Sequence, residues 1–290
     1  MTSSWMIVAG FLFATMAVFV KLGSAYFGAA EMAMYRSLFS LVFVTGVMHM
    51  TKGGTLRTRF LGGHLMRSFV GSVSLIGYFY AITRLPVATA NTLNYTSPIF
   101  LAIATTVVLG ERFSHWLLVA IVMGFGGVAL LLRPTFAAGT EGPAAIGLLS
   151  GIFSAWAYLS VRTLGRVGEP DWRVLFYFAL VATILAAAWN AITSTFHALT
   201  LSNAWVLLGL GLCGTLAQLA MTRAYRTGNT LVVGAFSYTT ILFTTIFTLV
   251  VWGGGIGWME IAGMVIIATS GVLAMRVEGK EQVEEAGFES

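Results

Sequence analysis

Residues 87–109 read VATANTLNYTSPIFLAIATTVVL, 23 residues without an acid or a base. Arg84-Leu85-Pro86 precedes the run and Gly110-Glu111-Arg112 ends it. A helix rises about 1.5 Å per residue, so this one crosses the roughly 30 Å hydrocarbon core of a bilayer. Within it Asn91, Asn94, Tyr95 and Pro98 fall at i, i+3, i+4 and i+7, on one helical face. Polar groups are costly in lipid, so that face is expected to turn inward, toward neighbouring helices or a cavity.

The same ruler laid outward from this run finds nine more spans. The first half reads roughly as Trp5–Leu22, Ala29–Met50, His64–Arg84, Val87–Leu109 and Ser114–Leu132. The second reads as Pro143–Gly165, Arg173–Thr193, Asn203–Tyr225, Thr230–Trp252 and Trp258–Met275. Composition agrees: 58% of the 290 residues are hydrophobic and 9% charged, with a mean hydropathy of +0.87. A soluble domain carries roughly a quarter charged residues. The fold class is an all-α integral membrane protein of ten transmembrane helices. Short alternating segments of the kind a barrel needs are absent.

The net charge of +5 does not point to nucleic acid, because the 16 Lys and Arg stand singly at the ends of apolar runs. With the N-terminus in the cytoplasm, 12 of those 16, Arg67 among them, fall on the inside and Lys21, Arg36, Arg84 and Arg133 outside. That bias places both termini in the cytoplasm of a bacterial inner membrane. Cys213, the single cysteine, is read as a small hydrophobe. The start MTSSW lacks a basic region and is kept as the approach to a span rather than a removable signal.

The two halves resemble each other at an offset of 141 to 144 residues. Gly10, Ala14 and Lys21 match Gly151, Ala155 and Arg162; Tyr95, Phe100 and Gly110 match Tyr238, Phe243 and Gly253; Gly127-Val128 matches Gly271-Val272. Five spans per half is an odd number, so the second copy enters the membrane upside down. The units are 1–138, 139–276 and an acidic tail, 277–290, expected to be disordered. Inverted repeats of this kind expose a midplane site to each side in turn.

Several stretches together resemble the EamA-type transporters of the drug/metabolite transporter superfamily. They are Arg36 early in the second span, Leu85-Pro86-Val87-Ala88-Thr89-Ala90 opening the fourth, Pro98 within it, and Leu109-Gly110-Glu111-Arg112 leading to Trp116 and Gly126-Gly127-Val128. The resemblance covers Trp5 to Arg276. In the second half Gly253-Gly254 stands where the first has Gly110-Glu111. The resemblance implies a solute carrier, often an exporter of amino acids or related metabolites. It leaves open a larger aromatic metabolite such as riboflavin or an adenosyl compound.

Candidate cavity residues are Asn91, Asn94, Tyr95 and Pro98, with the repeat mates Ser237 and Tyr238. Tyr78, Trp156, Gln218 and Arg36 join them from other spans. Tyr78 and Tyr80, like Trp156 and Tyr158, stand two residues apart, so one of each pair is expected to pack elsewhere. Arg36 suits a carboxylate or phosphate, or else an ion pair with Glu31. No acid sits mid-span, which favours facilitated transport or exchange; Glu31 and Glu111 are the candidates for proton coupling. No HExxH pair, Gly-x-Ser-x-Gly elbow or phosphate loop marks an enzyme. Neither cofactor nor metal is expected. The partners are a small-molecule solute and the bilayer, and a homodimer is left open.

Overall fold

In the computed structural model, residues 2–50, 55–85, 87–110, 114–193, 196–253 and 257–288 are described. The helices are α1 (Trp5–Gly23), α2 (Ala29–Met50), α3 (Leu61–Arg84), α4 (Val87–Asn94), α5 (Ser97–Leu109) and α6 (His115–Leu132). They continue with α7 (Glu141–Arg166), α8 (Asp171–Thr193), α9 (Leu201–Thr227), α10 (Thr230–Ser237), α11 (Thr239–Trp252) and α12 (Trp258–Phe288). α4 with α5, and α10 with α11, make one broken span each, so the described residues hold ten helices long and apolar enough to cross a membrane. Mid-helix Val42, Val122, Ile184 and Ile246 lie exposed on the outside, as lipid-facing residues do.

Pro98 explains the first break. It cannot donate to Asn94 one turn back, and the chain restarts as a helix at Ser97 with Pro98 in its first turn. The second break has no proline. In both, a threonine hydroxyl takes the carbonyl three residues earlier: Thr96 Oγ1 donates to Leu93 O at 2.6 Å and Thr239 Oγ1 to Phe236 O at 2.7 Å. Such bonds offer the backbone an alternative to its helical partner.

Thr96 and Thr239 also mark equivalent helix crossings. A Cβ on Gly151 of α7 would stand 2.6 Å from Thr96 Oγ1, and a Cβ on Gly10 of α1 would stand 2.9 Å from Thr239 Oγ1. Only glycine lets the helices approach this closely. The packed pairs repeat in the same way: α3 with α7 mirrors α9 with α1, and α3 with α8 mirrors α9 with α2. α6 with α12 and α2 with α8 pair with their own mates. The two halves are thus inverted repeats.

Three boundaries differ from the sequence reading. α7 begins at Glu141 and takes Pro143 into its first turn, where the missing N–H has no helical partner to lose. α3 begins at Leu61, three residues before His64. α12 runs to Phe288, beyond the expected end of the span at Met275. The Glu, Gln, Lys and Ala of that stretch are strong helix formers.

Candidate functional site

A cavity of about 310 Å³ lies between the halves. The first half contributes Met16 of α1, Arg36 of α2, Arg67 and Tyr78 of α3, and Asn91 and Asn94 of α4. The second contributes Ser154 and Tyr158 of α7, Phe178 of α8, Gln218 of α9, and Ser237 and Thr240 from either side of the second break. Tyr95, at the first break, also lines it.

Hydrogen bonds tie these walls together. Asn94 Nδ2 donates to Ser150 Oγ at 3.0 Å, and Ser74 Oγ bonds to Ser150 O at 2.8 Å and to Ser154 Oγ at 2.7 Å, joining α3, α4 and α7. The Tyr78 hydroxyl donates to Asn91 Oδ1. Arg36 Nη2 reaches Gln218 Oε1 at 3.5 Å.

The two ends of the cavity differ. Near the end that carries both termini its lining residues Met6, Arg67 and Met221 are buried, whereas Ala17, Tyr78, Asn91, Leu132 and Thr245 toward the opposite end are partly exposed. At the terminal end α7 packs on α9. There Tyr158 stacks on Tyr225 with centroids 4.7 Å apart, and Arg226 Nε lies 2.8 Å from Asp171 Oδ1. Glu169 accepts from Thr58 at 2.5 Å, Arg173 at 2.7 Å and His64 at 3.0 Å. Burial alone raises the Glu169 pKa, but these bonds together hold its carboxyl below the usual carboxylate range. Ser3 is bonded to Glu278 and to Asn229 N nearby. The repeat mates of α7 and α9 are α1 and α3, which are not among the packed helix pairs of the described residues.

Asn91, Asn94, Tyr95, Ser237, Tyr78, Gln218 and Arg36 therefore share one cavity. Three other candidates do not reach it. Pro98 turns away because the helix breaks just before it, and it packs on Gly234 of α10. Tyr238 is fully buried among Val128, Leu131, Ile241 and Ile267, in space left by Gly124. Trp156 is 39% exposed on the outer face of α7, and Tyr158, its neighbour by two, faces the cavity instead.

Glu31 is buried and held by His197, whose backbone N lies 3.1 Å and Nδ1 2.8 Å away; Arg36 is not its partner. Glu111 lies outside the described residues. Arg67, counted by sequence as an interfacial charge, stands two turns into α3 and is 2% exposed on the cavity wall. The three-residue error in the start of α3 hid it.

The EamA-like transporter family matches residues 1–133. The pseudopaline exporter of Pseudomonas aeruginosa is 30% identical over 94% of this chain and 95% of its own length. The chain belongs to the EamA-like transporter family. It is therefore a multi-pass membrane transporter of the drug/metabolite type. Human solute carrier family 35 member G1 is 23% identical over 92% of this chain and 76% of its own. A riboflavin transporter of Brucella anthropi is 27% identical over 67% of this chain and 69% of its own. One crystal structure shares the fold of this EamA-like transporter with a TM-score of 0.82 at 17% identity, over 96% of this chain and 98% of that one.

Proposed function

We propose that this EamA-like transporter exports an amino acid or a related small metabolite by alternating access, with 1–138 and 139–276 as the halves that exchange conformations. The observation that carries the reading is an asymmetry in a symmetric fold. α7 and α9 close one end of a cavity lined from both halves, while α1 and α3 leave the other end unclosed. In the opposite state α1 and α3 close and α7 and α9 part. With both termini cytoplasmic, the present state faces outward.

Among the described residues no acid lines the cavity, which supports facilitated transport or exchange over proton coupling. The exporter name of the Pseudomonas relative supports the direction. A second reading, a larger aromatic metabolite, draws support from Tyr78, Tyr95, Tyr158 and Phe178 in the walls and from the riboflavin transporter relative. Counterflow of labelled amino acids and riboflavin into proteoliposomes, with and without a pH gradient, separates the two. No counterflow of either in a folded preparation rules out amino acids and riboflavin as the solutes.

A further inference from the structure

The charged residues that line the cavity among the described residues are two arginines, Arg36 of α2 and Arg67 of α3. Each guanidinium is incompletely satisfied. Arg36 Nε has no hydrogen-bond partner, and its one bond to Gln218 is long at 3.5 Å. Arg67 is 2% exposed, its Nε and Nη1 have no partner, and its guanidinium carbon stands 4.5 Å from the centre of the Phe178 ring. Among the described residues neither is in an ion pair; Glu169 and Asp171 are held by His64, Arg173 and Arg226 instead. The two lie close enough to feel each other's charge.

Two like charges lining one cavity without a counter-ion inside a membrane destabilise the empty cavity. Guanidinium forks match carboxylates in a planar, bidentate way, and the aromatic and methionine walls cover the apolar part of a solute. Resting on the transport reading above, we propose that the exported metabolite is a dianion with two carboxylates, one received by Arg36 and the other by Arg67. Tyr158, which lines the same cavity and interacts with the Arg67 charge, would add a hydroxyl donor to the second carboxylate. A mono-carboxylate with its own ammonium group, such as a neutral amino acid, leaves one guanidinium uncompensated and is a poorer fit.

The test measures thermal protection of the purified full chain by succinate, glutarate and phthalate, each against its mono-amide, with inorganic phosphate and anionic-lipid micelles as controls. The dicarboxylates are expected to protect at concentrations at least tenfold lower than the amides, less well as salt rises. Arg36→Gln and Arg67→Gln should each abolish that preference, and Arg→Lys at either position should restore part of it. The empty Arg67→Gln protein should melt no lower than wild type, because the change removes an unpaired buried charge; a large fall in its melting temperature would overturn the proposal, as would a dicarboxylate preference retained by Arg36→Gln. Equal protection by diacid and amide overturns it, as does phosphate or lipid matching the dicarboxylates. Counterflow in vesicles is read separately. Exchange of neutral amino acids or riboflavin without dicarboxylate protection leaves the transport reading standing and sinks the dianion; dicarboxylate protection without exchange of any solute does the reverse.

Discussion

Tyr95 and Tyr238, 143 positions apart in sequence, stand with ring centroids 6.4 Å apart at the centre of the protein. They hold equivalent places at the two helix breaks, yet one lines the cavity and the other is fully buried. A symmetric fold caught in one of two states has this property: equivalent residues have unequal surroundings.

The break itself is set by close approach. Gly151→Ala puts a methyl where Thr96 Oγ1 and Leu93 O already stand, and overpacking of that kind costs about 1–3 kcal/mol. A lower melting temperature is expected, with a parallel loss for Gly10→Ala against Thr239. Gly126→Ala, with nothing within 4 Å of the added atom, should melt as wild type does. Equal effects at all three positions contradict the crossing.

Asn94→Ala and Tyr95→Ala should lower transport roughly tenfold or more, as loss of a contact worth about 1.4 kcal/mol does, while expression and folding stay intact. Trp156→Ala, on the outer face, should leave transport unchanged. The uptake rate at matched protein level decides, and normal transport by both Asn94→Ala and Tyr95→Ala rejects the cavity assignment.

The fold was legible because the bilayer imposes a simple length and polarity rule, and runs such as 87–109 obey it. Facing was harder to read. Trp156 and Tyr158 lie two residues apart on similar apolar sequence, and nothing local says which points inward; Pro98 shares a face with Asn91 and Asn94 only in an unbroken helix. Arg67 read as a topology charge because the apolar run can be started at His64. Gly62 and Gly63, weak helix formers, nonetheless lie inside α3.

At the terminal end Tyr158 stacks on Tyr225 and Arg226 pairs with Asp171, and the proposed transport cycle requires these contacts to part. Arg226→Ala should shift the protein toward the state open at that end. In a Cys213→Ala background, itself expected to be silent, Met6→Cys at the cavity floor should react severalfold faster with an impermeant thiol reagent applied from the terminal side. An unchanged rate argues against the latch.

The Glu169 carboxylate, bonded to Thr58, Arg173 and His64 beside that pair, should make stability depend on pH. A carboxylate whose pKa is depressed by folding stabilises above its unfolded pKa and loses that contribution only as pH falls through the lower folded value. Because Glu169 is held below the usual range, its own contribution, read as the difference in melting temperature between wild type and Glu169→Gln, should stay level between about pH 8 and pH 5 and shrink only below about pH 4. Glu169→Gln should lower the melting temperature across the neutral plateau; an unchanged plateau contradicts the role.

The most direct test of the central claim follows access to the cavity from each side as solute is exchanged. A cysteine replacing Met6 reports the terminal side and one replacing Thr245 the opposite side, both in the Cys213→Ala background and in proteoliposomes. Reciprocal change is expected: a transported solute speeds labelling at Met6→Cys and slows it at Thr245→Cys. Both sites opening together, or neither responding while solute is exchanged, contradicts alternating access through this cavity.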